Sequence, residues 1–134
     1  MTLLLLDTNV ISDLLAPQAD ARSQAIAHHE AGDSLLICQS VYYEVLRGLL
    51  WRNATAKLDM LNKRVLPLFE WTELLDVDWQ QAARFWADAR LKGKQIGDPD
   101  LLLAALTYRL KATLVSNDND FDALPIKRET WHSV

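Results

Sequence analysis

Short runs of apolar residues alternate along this chain with longer segments of helical periodicity, and that alternation constrains the fold most. It predicts strands at residues 2–6, 35–38, 74–77 and 113–116, and helices at residues 20–30, 41–52, 54–64, 78–92 and 99–110. Every residue of the first strand after Thr2 is apolar, rather than every second one, so both of its faces should be buried. The pattern predicts an α/β domain with a mainly parallel sheet.

Local signals mark several helix ends. Ser40 is predicted to cap the helix after the second strand, and Asp98 is predicted to cap the last helix because Pro99 suits a first turn. Gly32 and Gly93 are predicted to end helices, where a positive φ is needed.

Length and composition suit a single folded domain spanning residues 1–134. The one cysteine, Cys38, cannot form an internal disulfide, which is typical of a protein from a reducing cytoplasm. The initial run of four leucines is shorter than a signal peptide or the ~20 residues of a membrane span. We therefore expect a cytoplasmic protein with no membrane segment.

Six acidic residues follow predicted strands or open predicted helices. They are Asp7, Glu44, Asp98, Asp100, Asp118 and Asp120. In a parallel sheet the carboxyl ends of the strands and the amino ends of the following helices share one edge. We therefore expect these acids, although far apart in sequence, to converge at that edge.

Each acid also has a purely structural explanation. Asp7 could cap the following turn, although a buried acid after four leucines is costly unless it is paired. Glu44 could pair with Arg47 one turn further on. The acids at the start of the last helix could serve its cap and its dipole, and those after the fourth strand could be turn residues.

Carboxylates crowded together repel one another and raise their own pKa values unless cations compensate them. Hard oxygen ligands suit Mg²⁺ or Mn²⁺, and no cluster of cysteine and histidine suggests zinc. Two such ions ~3.5–4 Å apart can activate a water and stabilise the leaving oxygen in phosphodiester hydrolysis. His28, His29 and His132 are predicted to be surface residues rather than catalysts.

Four segments resemble the motifs of the PIN-domain family, and most closely those of VapC-type toxins from bacterial toxin–antitoxin pairs. They are LLDTNVI at 5–11, SVYYEVLRG at 40–48, IGDPDLLLAA at 96–105 and LVSNDNDF at 114–121. The resemblance covers nearly the whole chain in the right order. It implies a three-layer α/β/α fold and a metal-dependent endoribonuclease whose targets in the family are commonly tRNA or rRNA.

The resemblance also implies roles for individual residues. Asp7, Glu44 and Asp100 correspond to the three main acids of the family's catalytic metal site, which would hold Mg²⁺ or Mn²⁺. Asp118 corresponds to a more variable fourth acid, and Asp120 lies two residues further on as a further candidate ligand.

Several neighbouring positions complete the pattern. Asp98 corresponds to an additional acid found in part of the family. Thr8 and Ser116 match small hydroxyl positions that orient water or a carboxylate, with serine where threonine is commoner. Asn9 is a supporting residue beside Thr8.

The net charge of −4 argues against a nucleic-acid partner only if the acids of the proposed site are counted. Without those acids the remaining charges nearly balance, and bound divalent ions would offset the rest. Basic residues near the predicted site could contact phosphate, or could be ordinary solvated charges. They are Arg47, Arg90, Lys92 and Lys94.

The family resemblance implies a VapB-type antitoxin partner, an RNA substrate, and a homodimer that assembles further with the antitoxin. An amphipathic antitoxin segment would bind in a groove of the toxin. Trp51, Tyr42 and Tyr43 are candidates for that groove, although core packing of one or two of them is the alternative. Trp79 and Trp86 are seven residues apart and are predicted to share a buried helix face.

Of three alternative functions, the residues count against two. A haloacid-dehalogenase-type phosphatase needs a second aspartate where Asn9 stands, and a receiver domain needs an acid pair and a lysine that are not evident. A catalytically inactive PIN-like module that binds RNA or protein remains open, because it differs in activity rather than in composition.

Overall fold

The computed structural model describes residues 1–16 and 20–131. Its centre is a five-stranded sheet in the order β3-β2-β1-β4-β5, and every neighbouring pair of strands is parallel. The strands are β1 (Leu3–Leu6), β2 (Ser34–Cys38), β3 (Phe69–Thr72), β4 (Thr113–Val115) and β5 (Lys127–Glu129).

Helices connect the strands and cover the sheet, giving the expected three-layer α/β/α arrangement. They are α1 (Thr8–Leu14), α2 (Asp20–Glu30), α3 (Gln39–Trp51), α4 (Thr55–Met60), α5 (Asp76–Leu91) and α6 (Asp98–Leu110). Short turns of π-helix (Leu61–Val65) and 3₁₀-helix (Leu66–Leu68 and Asn119–Ala123) complete the connections. None of the helices in the described ranges is long and apolar enough to cross a membrane.

The central strands owe their position to continuous apolar sequence. Leu4, Leu5 and Leu6 are buried, as is every residue of β2. Because successive side chains of a strand point to opposite faces, burial of all of them requires helices on both sides of the sheet. The prediction of a mainly parallel α/β fold is confirmed.

The register of the sheet aligns the ends of its two central strands. Leu6 is paired with Val115, and the amide of Asp7 donates to the carbonyl of Val115 at 3.0 Å. Asp7 and Ser116, the residues that follow β1 and β4, are therefore neighbours at the carboxyl edge of the sheet.

The predicted strand at 74–77 is wrong. The third strand lies earlier, at Phe69–Thr72, and residues 74–77 lead into α5. β3 is an edge strand with Glu70 and Trp71 exposed, so it lacks the apolar run that marks a central strand. The carboxylate of Asp78 accepts from the amide of Leu75 at 2.8 Å, which caps α5.

Two short elements were missing from the sequence-based prediction, namely α1 and β5. α1 has seven residues, too few for a clear helical period, and β5 consists of three charged residues at the edge of the sheet. The helix predicted at 54–64 is also shorter than expected, since α4 ends at Met60 and a turn of π-helix follows.

The predicted caps of two helices are wrong by one or two positions. Cys38 precedes α3, and Ser40 lies within its first turn, where its Oγ is 3.1 Å from the Sγ of Cys38. Gly97 precedes α6, so Asp98 is the first helical residue. The positive φ of Gly32 and Gly93, +85° and +74°, is as predicted.

Candidate active site

Asp7 is a buried acid that both caps a helix and faces the carboxyl edge of the sheet. Its side chain accepts from the amide of Thr8 at 2.7 Å, which caps α1, and from Ser116 Oγ at 2.8 Å. The residue is 7% exposed. Burial raises the pKa of Asp7, and the charges of Glu44 and Asp118 raise it too, while the Ser116 and Thr8 hydrogen bonds oppose the shift.

Ser116 links Asp7 to the loop that follows β4. Its hydroxyl donates to Asp7 and accepts from the amide of Asp118 at 3.1 Å. The carboxylate of Asp118 in turn accepts from the amide of Asp120 at 2.9 Å, as in many aspartate turns. Asp118 is therefore a turn residue, the structural alternative given for it, and it also lies close to Asp7.

Glu44 lies in the second turn of α3 and is half-buried. Its Oε2 accepts from Thr8 Oγ1 at 3.3 Å, which ties α3 to the start of α1. Arg47 instead lies over the ring of Tyr43, 5.2 Å from its centroid. In residues 1–16 and 20–131, Glu44 and Arg47 form no ion pair.

The pKa of Asp100 is raised by the other acids of the cluster as well as by burial. Burial raises its pKa to about 6, and the charges of four other carboxylates add to the shift. In decreasing order of effect, they are Asp7, Asp118, Glu44 and Asp120. Acids from four separate segments of the chain therefore act on one another at this edge of the sheet.

Asp98 lies on another side of the first turn of α6. Residues two positions apart on a helix point about 200° apart, so Asp98 and Asp100 face different surroundings. Asp98 is exposed and lines a groove of about 340 Å³ together with Trp79, Trp86 and Leu101.

The donor set of the acidic cluster fits a hard divalent cation in its chemistry, because it consists of carboxylate oxygens. No ion pair within the described ranges involves any of the six acids, so their charge is not compensated in that way. Among those same residues, no group of three or more histidine, cysteine, aspartate or glutamate side chains is already arranged to hold a metal ion. The carboxylates are thus close enough for their charges to raise one another's pKa, but they are not yet arranged as the coordination shell of a metal ion.

The sequence model of the PIN domain family matches residues 4–127. The chain belongs to the PIN domain family. No curated protein matches it in sequence.

Solved structures share this PIN domain's fold. A chain of VapBC2 from Rickettsia felis, bound to a DNA fragment from its promoter, has a TM-score of 0.82 and 22% identity, covering 98% of this chain and 100% of that chain. A chain of DNA-bound VapBC from Salmonella typhimurium has a TM-score of 0.84 and 18% identity, covering 98% of this chain and 100% of that chain. VapC20 from Mycobacterium tuberculosis, a Sarcin-Ricin loop cleaving toxin, has a TM-score of 0.65 and 16% identity, covering 92% of this chain and 95% of that chain.

A polar network at the rim of the acidic cluster was not predicted from the sequence. The amide of Asn117 donates to Asn9 Oδ1 at 3.2 Å, and its side chain donates to Asp13 Oδ2 at 2.9 Å. Asn9 Nδ2 also lies 3.4 Å from Asp7 Oδ2. Asp13 and Asn117 are 104 residues apart, so no local pattern could have indicated their contact.

The prediction that Trp79 and Trp86 are buried is wrong. They are 59% and 44% exposed, and the buried face of α5 instead contains Ala82, Phe85 and Ala89. A spacing of seven places two residues on one helix face but does not say whether that face is covered. Of the five tryptophans, all within the described ranges, Trp131 alone is buried.

The aromatic residues proposed for a partner groove divide between surface and interior. Trp51 is 88% exposed at the end of α3, and Tyr43, nearer the start of the same helix, is also exposed. Tyr42 is half-buried and packs edge-on against Trp71, with ring centroids 5.3 Å apart. The end of α3 therefore carries exposed apolar surface.

Three of the four basic residues proposed to contact phosphate have contacts within the chain, and that of Arg47 with Tyr43 is given above. Arg90 lies over the ring of Trp86, 4.5 Å from its centroid, and Lys92 Nζ donates to the carbonyl of Ala123 at 2.7 Å. Lys94 is exposed.

Of the two histidines in the described ranges, His29 is at the surface as predicted, whereas His28 is half-buried. His28 lies 2.8 Å from Asp33 and stacks on Trp131, and His29 is exposed. His132 lies outside the described residues.

Proposed function

We propose that this PIN domain is a metal-dependent endoribonuclease, the toxin of a type II toxin–antitoxin system. The observation that carries the proposal is the convergence of acids at one edge of the sheet, where Ser116 bridges Asp7 and Asp118 and Thr8 bonds to Glu44. The pKa of Asp100, raised to about 6 by burial and by four other carboxylates, agrees with that crowding. Acids held this close together, with no ion pairs to offset their charge, are typical of a site that binds divalent cations. The described activity of VapC20, cleavage of the sarcin–ricin loop, supports RNA as the substrate.

Asp7, Glu44, Asp100 and Asp118 would hold Mg²⁺ or Mn²⁺, and Asp98 and Asp120 are further candidate ligands. The bound ion would supply an activated water and stabilise the oxygen that leaves phosphorus. Ser116 would keep the Asp7 carboxylate oriented through its 2.8 Å bond. Thr8 would do the same for Glu44, and Asn9 would support Asp7 from its other side.

The proton on Asp100 sets a condition for activity. With a pKa of about 6, this carboxyl is largely ionised at neutral pH but is protonated in mild acid. Metal ligands must be deprotonated to bind, so proton and cation compete at Asp100. We propose that metal loading, and cleavage with it, weakens below about pH 6.

We further propose that the chain binds a VapB-type antitoxin and forms a homodimer, in line with the VapBC assemblies of similar fold. Trp51 and Tyr43 on α3 offer the exposed apolar surface that an amphipathic antitoxin segment needs. Glu44 follows Tyr43 in α3 and points about 100° round the helix from it, so a segment that crosses α3 would come close to the acidic cluster. Such a segment could place a basic side chain among the carboxylates and inhibit the nuclease.

A PIN-like module that binds RNA or protein without cutting it is the second candidate. It is favoured by one observation, that no three ligand side chains in the described ranges are already arranged around a metal position. Thermal stabilisation by Mn²⁺ that disappears in Asp7→Asn would argue against this candidate, because only a working ion site produces it.

The experiment that tests the proposal is cleavage of total cellular RNA by purified, antitoxin-free protein. Wild type, Asp100→Asn and the matched control Asp88→Asn, an exposed acid on α5, are each incubated with Mn²⁺, with Mg²⁺ or with EDTA. We expect discrete products that require metal and Asp100 but not Asp88. If the folded protein cuts nothing, and tRNA and rRNA also stay intact when it is expressed in cells, the binding module becomes the better description.

A further inference from the structure

Arg128 of β5 binds both ends of the loop that carries Asp118. Its Nη1 donates to the carbonyl of Ser116 at 3.0 Å, where the loop begins. Its Nε and Nη2 donate to the two carboxylate oxygens of Asp122, both at 2.9 Å, where the loop returns towards β5. One planar guanidinium therefore spans the segment 116–122.

The residue at the start of this loop is the one that joins two acids of the proposed site. The hydroxyl of Ser116 contacts Asp7 and the amide of Asp118, as described above. Its amide donates to the carbonyl of Glu129 at 3.0 Å, and its carbonyl accepts from Arg128. Both backbone polar groups of Ser116 are thus held by neighbouring residues of β5.

Arg128 is not itself placed to bind a phosphate or to act on a substrate. The Arg128 side chain is 15% exposed, and its guanidinium forms a two-pronged ion pair with Asp122. The hydrogen bonds to Asp122 raise the pKa of the Arg128 guanidinium, and the charges of Asp122 and Asp118 add to the rise. Its contacts suit a residue that fixes the loop rather than one that reacts.

We propose that Arg128 is a positioning residue for the metal centre, holding the Asp118 loop against the carboxyl edge of the sheet. The inference rests on the proposed function, because it assumes that the acidic cluster binds a divalent ion. A lysine would keep the charge but could not reproduce the three directed hydrogen bonds of the guanidinium fork. Residues that orient metal ligands in this indirect way typically contribute about 10–100-fold to metal affinity.

The test is a calorimetric titration of RNA-free protein with Mn²⁺, comparing wild type with Arg128→Lys. We expect the variant to bind Mn²⁺ about 10-fold more weakly or worse. Arg109→Lys is the matched control, since Arg109 makes a similar clamp elsewhere, to Asp78 Oδ1 at 2.8 Å and to the carbonyl of Glu73 at 2.9 Å. It should lower thermal stability without weakening Mn²⁺ binding.

A second measurement does not depend on metal. Hydrogen exchange of the Asp118 and Asp120 amides in metal-free protein should be faster in Arg128→Lys than in wild type. Asp122→Asn should give a milder increase, because the Arg128 bond to the Ser116 carbonyl remains. Circular dichroism checks that each variant is folded.

The outcomes separate this inference from the proposed function. If wild type binds Mn²⁺ and Asp7→Asn does not, but folded Arg128→Lys binds as tightly as wild type, the positioning role is overturned while the metal site stands. If Arg109→Lys weakens binding equally, the effect is general destabilisation and the role is again overturned. If wild type itself does not bind Mn²⁺, the proposed function fails, and the role of Arg128 towards a metal fails with it.

Discussion

Ser116 Oγ donates a hydrogen bond of 2.8 Å to Asp7 Oδ2, although the two residues are 109 positions apart. The contact exists because β1 and β4 are parallel neighbours in register, so the residues after Leu6 and Val115 meet at one edge. It joins the first and the last acidic motifs of this PIN domain.

Replacing Ser116 with alanine should move the pH dependence of the site. The Ser116 hydrogen bond lowers the pKa of Asp7 and opposes the effect of burial, so its loss should raise that pKa further. The acidic limb of the pH profile of Mn²⁺ binding should therefore shift to higher pH. Ser116→Thr keeps the hydroxyl and should restore the wild-type profile. Identical profiles for the alanine and threonine variants would contradict this role.

Asp100→Asn should make the metal-free protein more stable at pH 7. The folded-state pKa of Asp100 is raised from 3.8 to about 6, so the folded chain holds this proton more tightly than the unfolded chain. The stability linked to Asp100 is therefore fully present below about pH 4 and is lost as the pH rises to about 6. After allowance for solvent screening, the gain in the variant is about 1 kcal/mol, or roughly 3–6 °C in Tm.

The control for this measurement is Asp98→Asn, which changes an exposed acid in the same turn of α6. Its Tm should stay close to that of wild type at every pH. Added Mn²⁺ should raise the Tm of wild type but not that of Asp100→Asn, so that wild type becomes the more stable of the two. A Tm of Asp100→Asn below that of metal-free wild type at pH 7 would count against the crowding of carboxylates.

Loss of the exposed aromatic surface of α3 should weaken antitoxin binding. Trp51 is 88% exposed, so Trp51→Ala should leave the folding stability nearly unchanged. If Trp51 is an anchor of the interface, its removal should weaken binding by about 30-fold, equivalent to ~2 kcal/mol. The measurement is calorimetry with the proposed VapB-type antitoxin, and Trp86→Ala on α5 is the matched control. Equal affinities of the Trp51 variant and wild type would place the antitoxin elsewhere.

Asp78→Ala should destabilise the fold strongly. Asp78 is 1% exposed, caps α5 through the Leu75 amide and pairs with Arg109 at 2.8 Å. Losing the cap and the ion pair together should cost about 2–4 kcal/mol, measured by urea unfolding. Asp76→Ala removes an exposed acid from the same turn and should change stability by less than about 0.5 kcal/mol. Similar costs for the two variants would show that the buried pair contributes little.

Sequence alone was sufficient where local pattern and burial coincide. The leucines of β1 and the apolar run of β2 marked the centre of a parallel sheet, and Asp7 and Asp118 were placed correctly after strands. The position of Asp100 in the first turn of α6 also followed from the adjacent Pro99. These features depend on the order of residues along one segment, which the sequence displays directly.

Tertiary structure decided the rest, because it depends on which segments meet. The edge strand β3 carries no apolar run, and α5 turns Trp79 and Trp86 outward because Phe85 covers the core from the other face. The bonds of Ser116 to Asp7 and of Arg128 to the Asp118 loop join residues through strand pairing and register. Spacing along a helix or strand determines which side chains share a face, but only packing determines what that face touches.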